Sequence, residues 1–145
     1  MYQVFGFYKF KKIKYLKKLK KDLLIKLLEL DLRGNIILSP EGINGAITGK
    51  KQNISKFSSI IKSKIRVANF DSQNNSESKF HPFHKGKIKI KKEVVPMGIM
   101  VSQKDRIKKK YLNVNKWNKL IANNKTLVID ARKPFEYEVG TFKSA

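Results

Sequence analysis

A pair of histidines offers the chain's best chance of a metal site. His81 and His84 flank Pro82-Phe83 in the pattern His-x-x-His, a spacing that metal ligands can use. The chain supplies no cysteine as a further ligand, and the carboxylate that precedes the pair is Glu77. We therefore expect no metal site and place both histidines in an exposed loop.

Cysteine is absent from the whole sequence, and this removes disulfides, thiolate metal sites and thiol nucleophiles together. No cluster of histidine and carboxylate residues takes the place of a thiol. We therefore assign no catalytic residue and no cofactor to these 145 residues.

A glycine-rich segment, residues 41–49, has the composition of a phosphate-binding loop but not its spacing. A Walker loop needs Gly-x-x-x-x-Gly-Lys followed by Ser or Thr, whereas residues 49–51 are Gly-Lys-Lys. The Asn-Gly and Pro-Glu-Gly steps here instead predict a hairpin with a glycine at positive φ. Such a turn does not explain the polar Glu41 and Asn44, so we keep both as candidate RNA contacts.

Alternating lysines form a second candidate site, in the run Lys87-Ile88-Lys89-Ile90-Lys91. Their period of two predicts a strand from Lys87 to Val95 with isoleucines on one face and lysines on the other. Alternate residues of a strand lie roughly 6.5–7 Å apart, close to the phosphate spacing of a nucleic acid. Lys92 extends the row. Lysines on an exposed strand can also serve only to prevent aggregation. The two interpretations have similar weight, and the added positive charge of Lys9, the first helix and residues 104–110 favours RNA.

The whole chain is strongly basic, with 33 lysines and arginines against 11 acids and a net charge of +22. An AT-rich genome would raise glutamate as well as lysine, so codon usage alone does not explain the excess. A polyanionic partner, RNA or DNA before an anionic membrane, explains it better than a generically basic surface. No apolar stretch approaches the roughly 18 residues of a membrane span, and the first residues lack the pattern of a signal peptide. We expect a cytoplasmic protein.

The elements that must position these residues alternate along the first half of the chain. Strand, helix, strand, strand, helix and strand are predicted, in that order, at Tyr2–Phe10, 16–30, 35–38, 46–48, 52–62 and 67–70. This order is typical of the split βαβ, or ferredoxin-like, arrangement of the α+β class. The polar residues 71–78 predict a loop.

The second half of the chain predicts a linker and the beginning of another domain. Trp117, Leu120 and Ile121 favour a short helix, and Thr126–Ile129 favours a strand. The predicted parts are a first domain over 1–98, a basic linker over 99–114 and an incomplete α/β element over 115–145.

Several blocks of residues are more specific than any single motif. They are Tyr8–Phe10, Gly34–Gly49 with Pro-Glu-Gly-Ile-Asn-Gly at its centre, Pro82-Phe83, Lys89–Val95, Met97-Gly98, Tyr111-Leu112, Trp117-Asn118, Leu120-Ile121, Val128–Arg132, Tyr137-Glu138 and Gly140–Phe142. Together they resemble the N-terminal half of the rhodanese-type tRNA uridine hydroxylases. In that family an acylphosphatase-like, ferredoxin-like domain precedes a rhodanese domain.

The resemblance implies oxygen-dependent 5-hydroxylation of the wobble uridine, with tRNA as partner and molecular oxygen as co-substrate. It also implies an active-site cysteine beyond Ala145, so we expect the chain to be an N-terminal part that is inactive alone. In rhodanese-like domains an Asp-x-Arg such as Asp130 and Arg132 orders loops near the active site, with the arginine paired to a carboxylate such as Glu138. A rhodanese-type sulfurtransferase fragment and a non-enzymatic RNA-binding module are the alternatives.

Overall fold

The computed structural model describes residues 1–94, 112–143 and 145, which belong to two units, Met1–Gly98 and Ile99–Ala145. The described elements of the first unit are β1 (Tyr2–Phe10), α1 (Leu16–Glu29), β2 (Arg33–Ser39), β3 (Gly42–Gly49), α2 (Lys51–Ile65), β4 (Ser72–Ser78) and β5 (Gly86–Ile90). Those of the second unit are α3 (Val114–Ile121) and α4 (Pro134–Val139). Val95 and all but residues 112–114 of the predicted linker lie outside the described residues.

The strands of the first unit form one sheet in the order β4-β1-β3-β2-β5. β3 lies between β1 and β2 and is antiparallel to both, and β4 is antiparallel to β1. β5 is added on the outer side of β2 and runs parallel to it. The first four strands and two helices therefore have the predicted split βαβ order, and the α+β, ferredoxin-like prediction for this domain is confirmed.

Both helices cover the same face of the sheet, and the core lies between the helices and this face. Leucines at spacings of four along α1 and apolar residues at spacings of three and four along α2 give each helix one buried stripe. The core side chains are Phe5, Phe7, Leu19, Leu23, Leu27, Ile36, Leu38, Ile43, Ile47, Ile54, Phe57 and Ile61. Burying each large apolar side chain of this kind contributes about 1.5–3 kcal/mol. Because the helices cover one face of the sheet, the other face is the one that a ligand can reach.

The fourth strand was predicted in the wrong place. Residues 67–70 follow α2 and form no strand; the Val67 N–H donates to the Lys62 carbonyl, and the Phe70 ring packs 4.8 Å from that of Phe7. β4 is instead the polar segment predicted as a loop. It is an edge strand with exposed side chains on both faces, so its sequence has no apolar alternation to reveal it.

The β2–β3 hairpin turns at Pro40 and Glu41, and Gly42 directly after the turn has a positive φ of 158°, as predicted. A side chain at Gly42 would collide with the β1 backbone at Lys9. A Cβ at Gly45 would lie 3.0 Å from both the Phe7 ring and the Ile36 side chain. These glycines allow β1, β2 and β3 to pack closely.

β5 is shorter than predicted and ends at Ile90, although the Lys91 N–H still donates to the Leu38 carbonyl at 2.9 Å. Ile88 is buried, and Lys87 and Lys89 are exposed, so the alternation of faces is confirmed. Ile90 departs from it and is 39% exposed at the end of the strand.

The described part of the second unit contains two short helices and an irregular connection between them. The Asn113 side chain caps α3 by accepting from the Lys116 N–H, and the Trp117 ring packs 5.3 Å from the Phe142 ring. Thr126–Ile129, predicted as a strand, has no regular secondary structure and pairs with no strand in the described residues of this unit. A strand needs the hydrogen bonds of a neighbour. Leu127 and Ile129 are accordingly 81% and 75% exposed.

Candidate nucleic-acid interface

The sheet face opposite the core carries no helix among the described elements of the first unit, and we call it the helix-free face. Strand register assigns its residues, because cross-strand partners share a face. Tyr8 pairs with Asn44 on β3, which pairs with Ile37 on β2, which pairs with Lys89 on β5. The next row is Gly6, Ala46, Asn35 and Lys87, and on the other side Gly6 pairs with Asn74 on β4. A continuous surface therefore runs from the polar edge strand β4 to the lysines of β5.

A shallow concavity of about 460 Å³ occupies the centre of the helix-free face. Its polar lining consists of Tyr8, Asn35, Asn44, Ser72 and Asn74. Each asparagine amide offers both a donor and an acceptor, which is the chemistry that reads the edges of unpaired bases. The concavity can therefore contact bases without carrying a charge of its own.

Gly6 allows one of these amides to reach the middle of the sheet. A Cβ at Gly6 would collide with the Asn74 side-chain oxygen, so the Asn74 amide lies directly against β1 at this glycine. Asn44 approaches from the other side as the cross-strand partner of Tyr8. The Tyr8 ring makes an edge contact with the Phe10 ring at 5.9 Å. β1 thus brings an aromatic residue and two amides together.

A row of lysines borders the concavity on the β5 side, and we call it the lysine edge: Lys87, Lys89 and Lys91. Lys87 and Lys89 are the register partners of Asn35 and Ile37, so they begin one strand spacing, about 4.8 Å, from the concavity. All three lysines are exposed. Cations beside a surface of amides suit a ligand that has both phosphates and bases.

The remaining residues predicted to contact RNA have other positions. Lys9 is on the core side of β1 by register, and its ammonium forms an ion pair with Asp71 at 2.6 Å, so it is separate from the lysine edge. Lys92 is exposed after the end of β5. The Glu41 carboxylate accepts from the Val94 N–H at 2.7 Å and so ties the chain beyond β5 to the β2–β3 turn.

The two histidines of the His-x-x-His pattern have different surroundings. The His81 ring lies against Tyr2 with centroids 3.7 Å apart, and burial, followed by the charge of Arg33, lowers the pKa of His81. His81 is thus half-buried rather than exposed as predicted, whereas His84 is exposed. Throughout the described ranges, no group of three metal-binding side chains comes together.

In the second unit a compact polar cluster surrounds Asp130. Its carboxylate accepts from the Arg132 guanidinium and backbone N–H and from the Thr141 hydroxyl, and these hydrogen bonds hold the pKa of Asp130 well below its usual range. The guanidinium also donates to the Gly140 carbonyl at 2.6 Å. Arg132 therefore pairs with Asp130 rather than with Glu138, which is exposed on α4. The hydrogen bond from the Arg132 backbone N–H to the Asp130 carboxylate closes a tight turn over these residues, which brings the Asp130 and Arg132 side chains together.

Residues 2–94 match the family described as UPF0176 acylphosphatase like domain. The chain belongs to this family. The match covers the sheet, both helices of the first unit and every residue of the concavity and the lysine edge. The family resemblance predicted from the sequence is confirmed.

Curated relatives match almost the whole chain. A protein of Pelagibacter ubique (strain HTCC1062) named tRNA uridine(34) hydroxylase is 52% identical over 99% of this chain and 47% of its own length. One of Legionella pneumophila (strain Corby) with the same name is 34% identical over 97% of this chain and 55% of its own length. The chain spans about half the length of these relatives.

The solved structures to which this chain is similar include an acylphosphatase from Coxiella burnetii. It is 15% identical with a TM-score of 0.46, over 61% of this chain and 93% of that chain.

None of the helices in the described ranges is long and apolar enough to cross a membrane.

Two of the three asparagines of the concavity, Asn35 and Asn74, were not predicted from the sequence. Asn35 alternates with the buried Gly34 and Ile36 along β2, and this period of two would have placed it on the helix-free face. Asn74 gave no such signal, since β4 is polar throughout. Asn44 was selected from the sequence and lies in the concavity, although in a strand rather than in the predicted turn.

Proposed function

We propose that this chain provides the tRNA-binding part of a protein that hydroxylates uridine 34 of tRNA. Two curated relatives with that name support the proposal, together with membership of the family. The structural observation that carries it is the concavity of asparagine amides next to the lysine edge. An anticodon loop has unpaired bases and a continuous backbone of phosphates, and this surface has a group suited to each.

Each part of the surface has its own task in this proposal. The lysine edge holds phosphates by charge and releases their condensed counterions, which supplies affinity without reading sequence. The amides of Asn35, Asn44 and Asn74 contact the exposed base edges, which supplies discrimination. Lys92 extends the lysine edge, while Lys9 and Glu41 act indirectly by holding the ends of β1 and of the turn in place.

We also propose the chemical step in which the whole protein takes part. Hydroxylation at ring carbon 5 takes molecular oxygen as co-substrate, as the resemblance implies. The 145 residues contain no cysteine, so the proposed thiol of this chemistry is not among them. Asp130 and Arg132 are proposed to order a loop of a rhodanese domain, which fits their mutual hydrogen bonds and their contact with Gly140. The protein acts in the cytoplasm, where tRNA is modified.

Two neighbouring asparagines provide the test. Asn74 lies in the concavity, whereas Asn75 is the next residue of the same exposed strand and is paired with Phe5 on the opposite face. We expect Asn74→Ala to weaken binding of a tRNA transcript about 3- to 10-fold, the value of one hydrogen bond of about 0.7–1.4 kcal/mol. Asn75→Ala should leave binding unchanged. Binding is measured by fluorescence anisotropy, and melting temperatures report whether both variants fold. Equal binding by the two variants would remove the helix-free face from the proposal.

A further inference from the structure

A second basic surface lies where β1 ends, and we call it the basic groove. It has a volume of about 760 Å³ and is formed by the loop before α1, the first turns of α1 and the end of α2. Its lining residues are Lys11, Lys12, Ile13, Lys14, Tyr15, Lys18, Leu19, Asp22, Ser63, Lys64, Ile65 and Arg66. Ile13, Leu19 and Ile65 are buried and belong to the core, so the charged residues surround an apolar base.

The charges that line the groove are far from balanced. Asp22 is the carboxylate among these described lining residues, and it forms an ion pair with Lys64 at 2.7 Å. The hydrogen bond from Lys64 keeps the pKa of Asp22 below its ordinary value. The other cations of the lining are exposed: Lys11, Lys12, Lys14, Lys18 and Arg66. This concentration of positive charge favours a ligand with several negative charges.

The wall that carries three of these lysines is fixed in place. The Lys11 N–H donates to the Glu41 carbonyl at 2.9 Å, and the Ile13 N–H donates to the Pro40 carbonyl at 3.0 Å. The buried Ile13 side chain anchors the middle of the loop. A ligand would therefore meet lysines on an ordered backbone, which lowers the entropic cost of binding.

We infer that the basic groove binds the phosphodiester backbone of the same RNA that contacts the helix-free face. This inference rests on the proposed function. Lys11 follows Tyr8 by three residues, a distance of at most about 10 Å along an extended chain. A strand of RNA leaving the concavity can therefore enter the groove within one or two nucleotides. The groove adds affinity and fixes the direction in which the RNA leaves the sheet.

The shape of the groove favours RNA over a lipid surface. A bilayer is broad and flat, and a helix or loop that binds it inserts apolar side chains. Among the described lining residues, Tyr15 is the large hydrophobic side chain that is exposed, at 81%. A single chain of phosphates can enter a concave groove and contact cations on both walls.

The test compares three triple substitutions in the full chain. The groove variant is Lys11→Gln, Lys12→Gln and Lys14→Gln, and the edge variant changes Lys87, Lys89 and Lys91 to Gln. The matched control changes Lys51, Lys56 and Lys79, which are exposed and line neither the groove nor the concavity. All three variants lose the same charge, so differences among them report position rather than net charge.

Binding of a tRNA transcript is measured as a function of salt concentration. Removing three lysines that bind phosphates in the groove should flatten the slope of log K against log[salt] by about 2 to 3 and weaken binding roughly 100-fold at 0.1 M salt. The combined groove and edge variant should show the sum of the two changes in slope, because the sites are separate.

Other outcomes distinguish the two proposals. A groove variant that behaves like the control, while the edge variant binds weakly, overturns the groove and leaves the proposed function standing. If neither differs from the control, both proposals fail. Binding to vesicles of phosphatidylserine that the groove variant loses, with RNA binding unchanged, overturns the groove in favour of a membrane. Melting temperatures equal to that of the unchanged chain show that the variants fold.

Discussion

Neutralising the lysine edge has a consequence that can be calculated from the structure. Lys87, Lys89 and Lys91 are exposed, and Ile88 between them is 5% exposed and packs in the core. Changing the three lysines to glutamine leaves the buried isoleucine and the pairing with β2 in place. We therefore expect the free energy of unfolding to change by less than about 0.5 kcal/mol per substitution.

The effect on RNA binding should be much larger. Each lysine that contacts a phosphate contributes about 0.7 to 0.9 to the slope of log K against log[salt], so three such lysines contribute about 2 to 3. Between 50 and 200 mM salt, these lysines alone account for a decrease in affinity of about 20- to 40-fold. The variant should lack this share of the salt dependence.

Fluorescence anisotropy with a labelled tRNA transcript measures both quantities. The control with Lys51, Lys56 and Lys79 changed to glutamine has the same net charge and should keep most of the original slope, since only the diffuse field of the protein changes. If the edge variant and the control have the same slope, the lysines serve only to protect an exposed strand from aggregation. The spacing of the three lysines would then not reflect phosphate contacts.

Four further results are expected. Glu41→Ala should lower the free energy of unfolding by about 1.5–3 kcal/mol in urea titrations, because the Val94 N–H loses a charged acceptor; an unchanged midpoint would contradict this contact. The carboxyl of Asp130 should stay ionised in NMR titrations as the pH falls through its ordinary value of 3.8, and titration at that value would contradict the cluster. Because the folded pKa is the lower one, the stabilisation is complete above the unfolded pKa and is lost as the pH falls through the folded pKa. Hydrogen exchange should be faster in residues 126–143 than in β1 and β3, because Leu127 and Ile129 are exposed; uniform protection would disprove this. Mass spectrometry should detect no 5-hydroxyuridine in tRNA incubated with these 145 residues alone, and any turnover would overthrow the assignment of the chemistry to a thiol outside them.

The sequence predicted those elements whose side chains face a core. Leucines along α1, apolar residues along α2 and the aromatic alternation in β1 each follow from burial on one side, and all three elements are found. β4 could not be found in this way, because the side chains on both of its faces are largely exposed. β4 forms through backbone hydrogen bonds with β1, and such bonds leave no pattern in the side chains of the sequence.

The site was predictable to a similar extent. Alternation located Lys87 and Lys89 correctly on an exposed face, because Ile88 must be buried. The concavity was not predictable, since it brings together residues from four strands and one of these strands was missed. Glu41 was selected for its polarity, but its partner Val94 lies 53 residues away, and only the fold shows that contact.

Binding of tRNA to the helix-free face of the first unit can be observed residue by residue. Amide chemical shifts of the chain titrated with an anticodon stem-loop RNA test it most directly. We expect the largest shifts at Asn35, Asn44, Asn74 and the lysine edge, with little change at Lys51 and Lys56 on α2. Shifts confined to the outer surfaces of α1 and α2, with the concavity and the lysine edge unaffected, would contradict it.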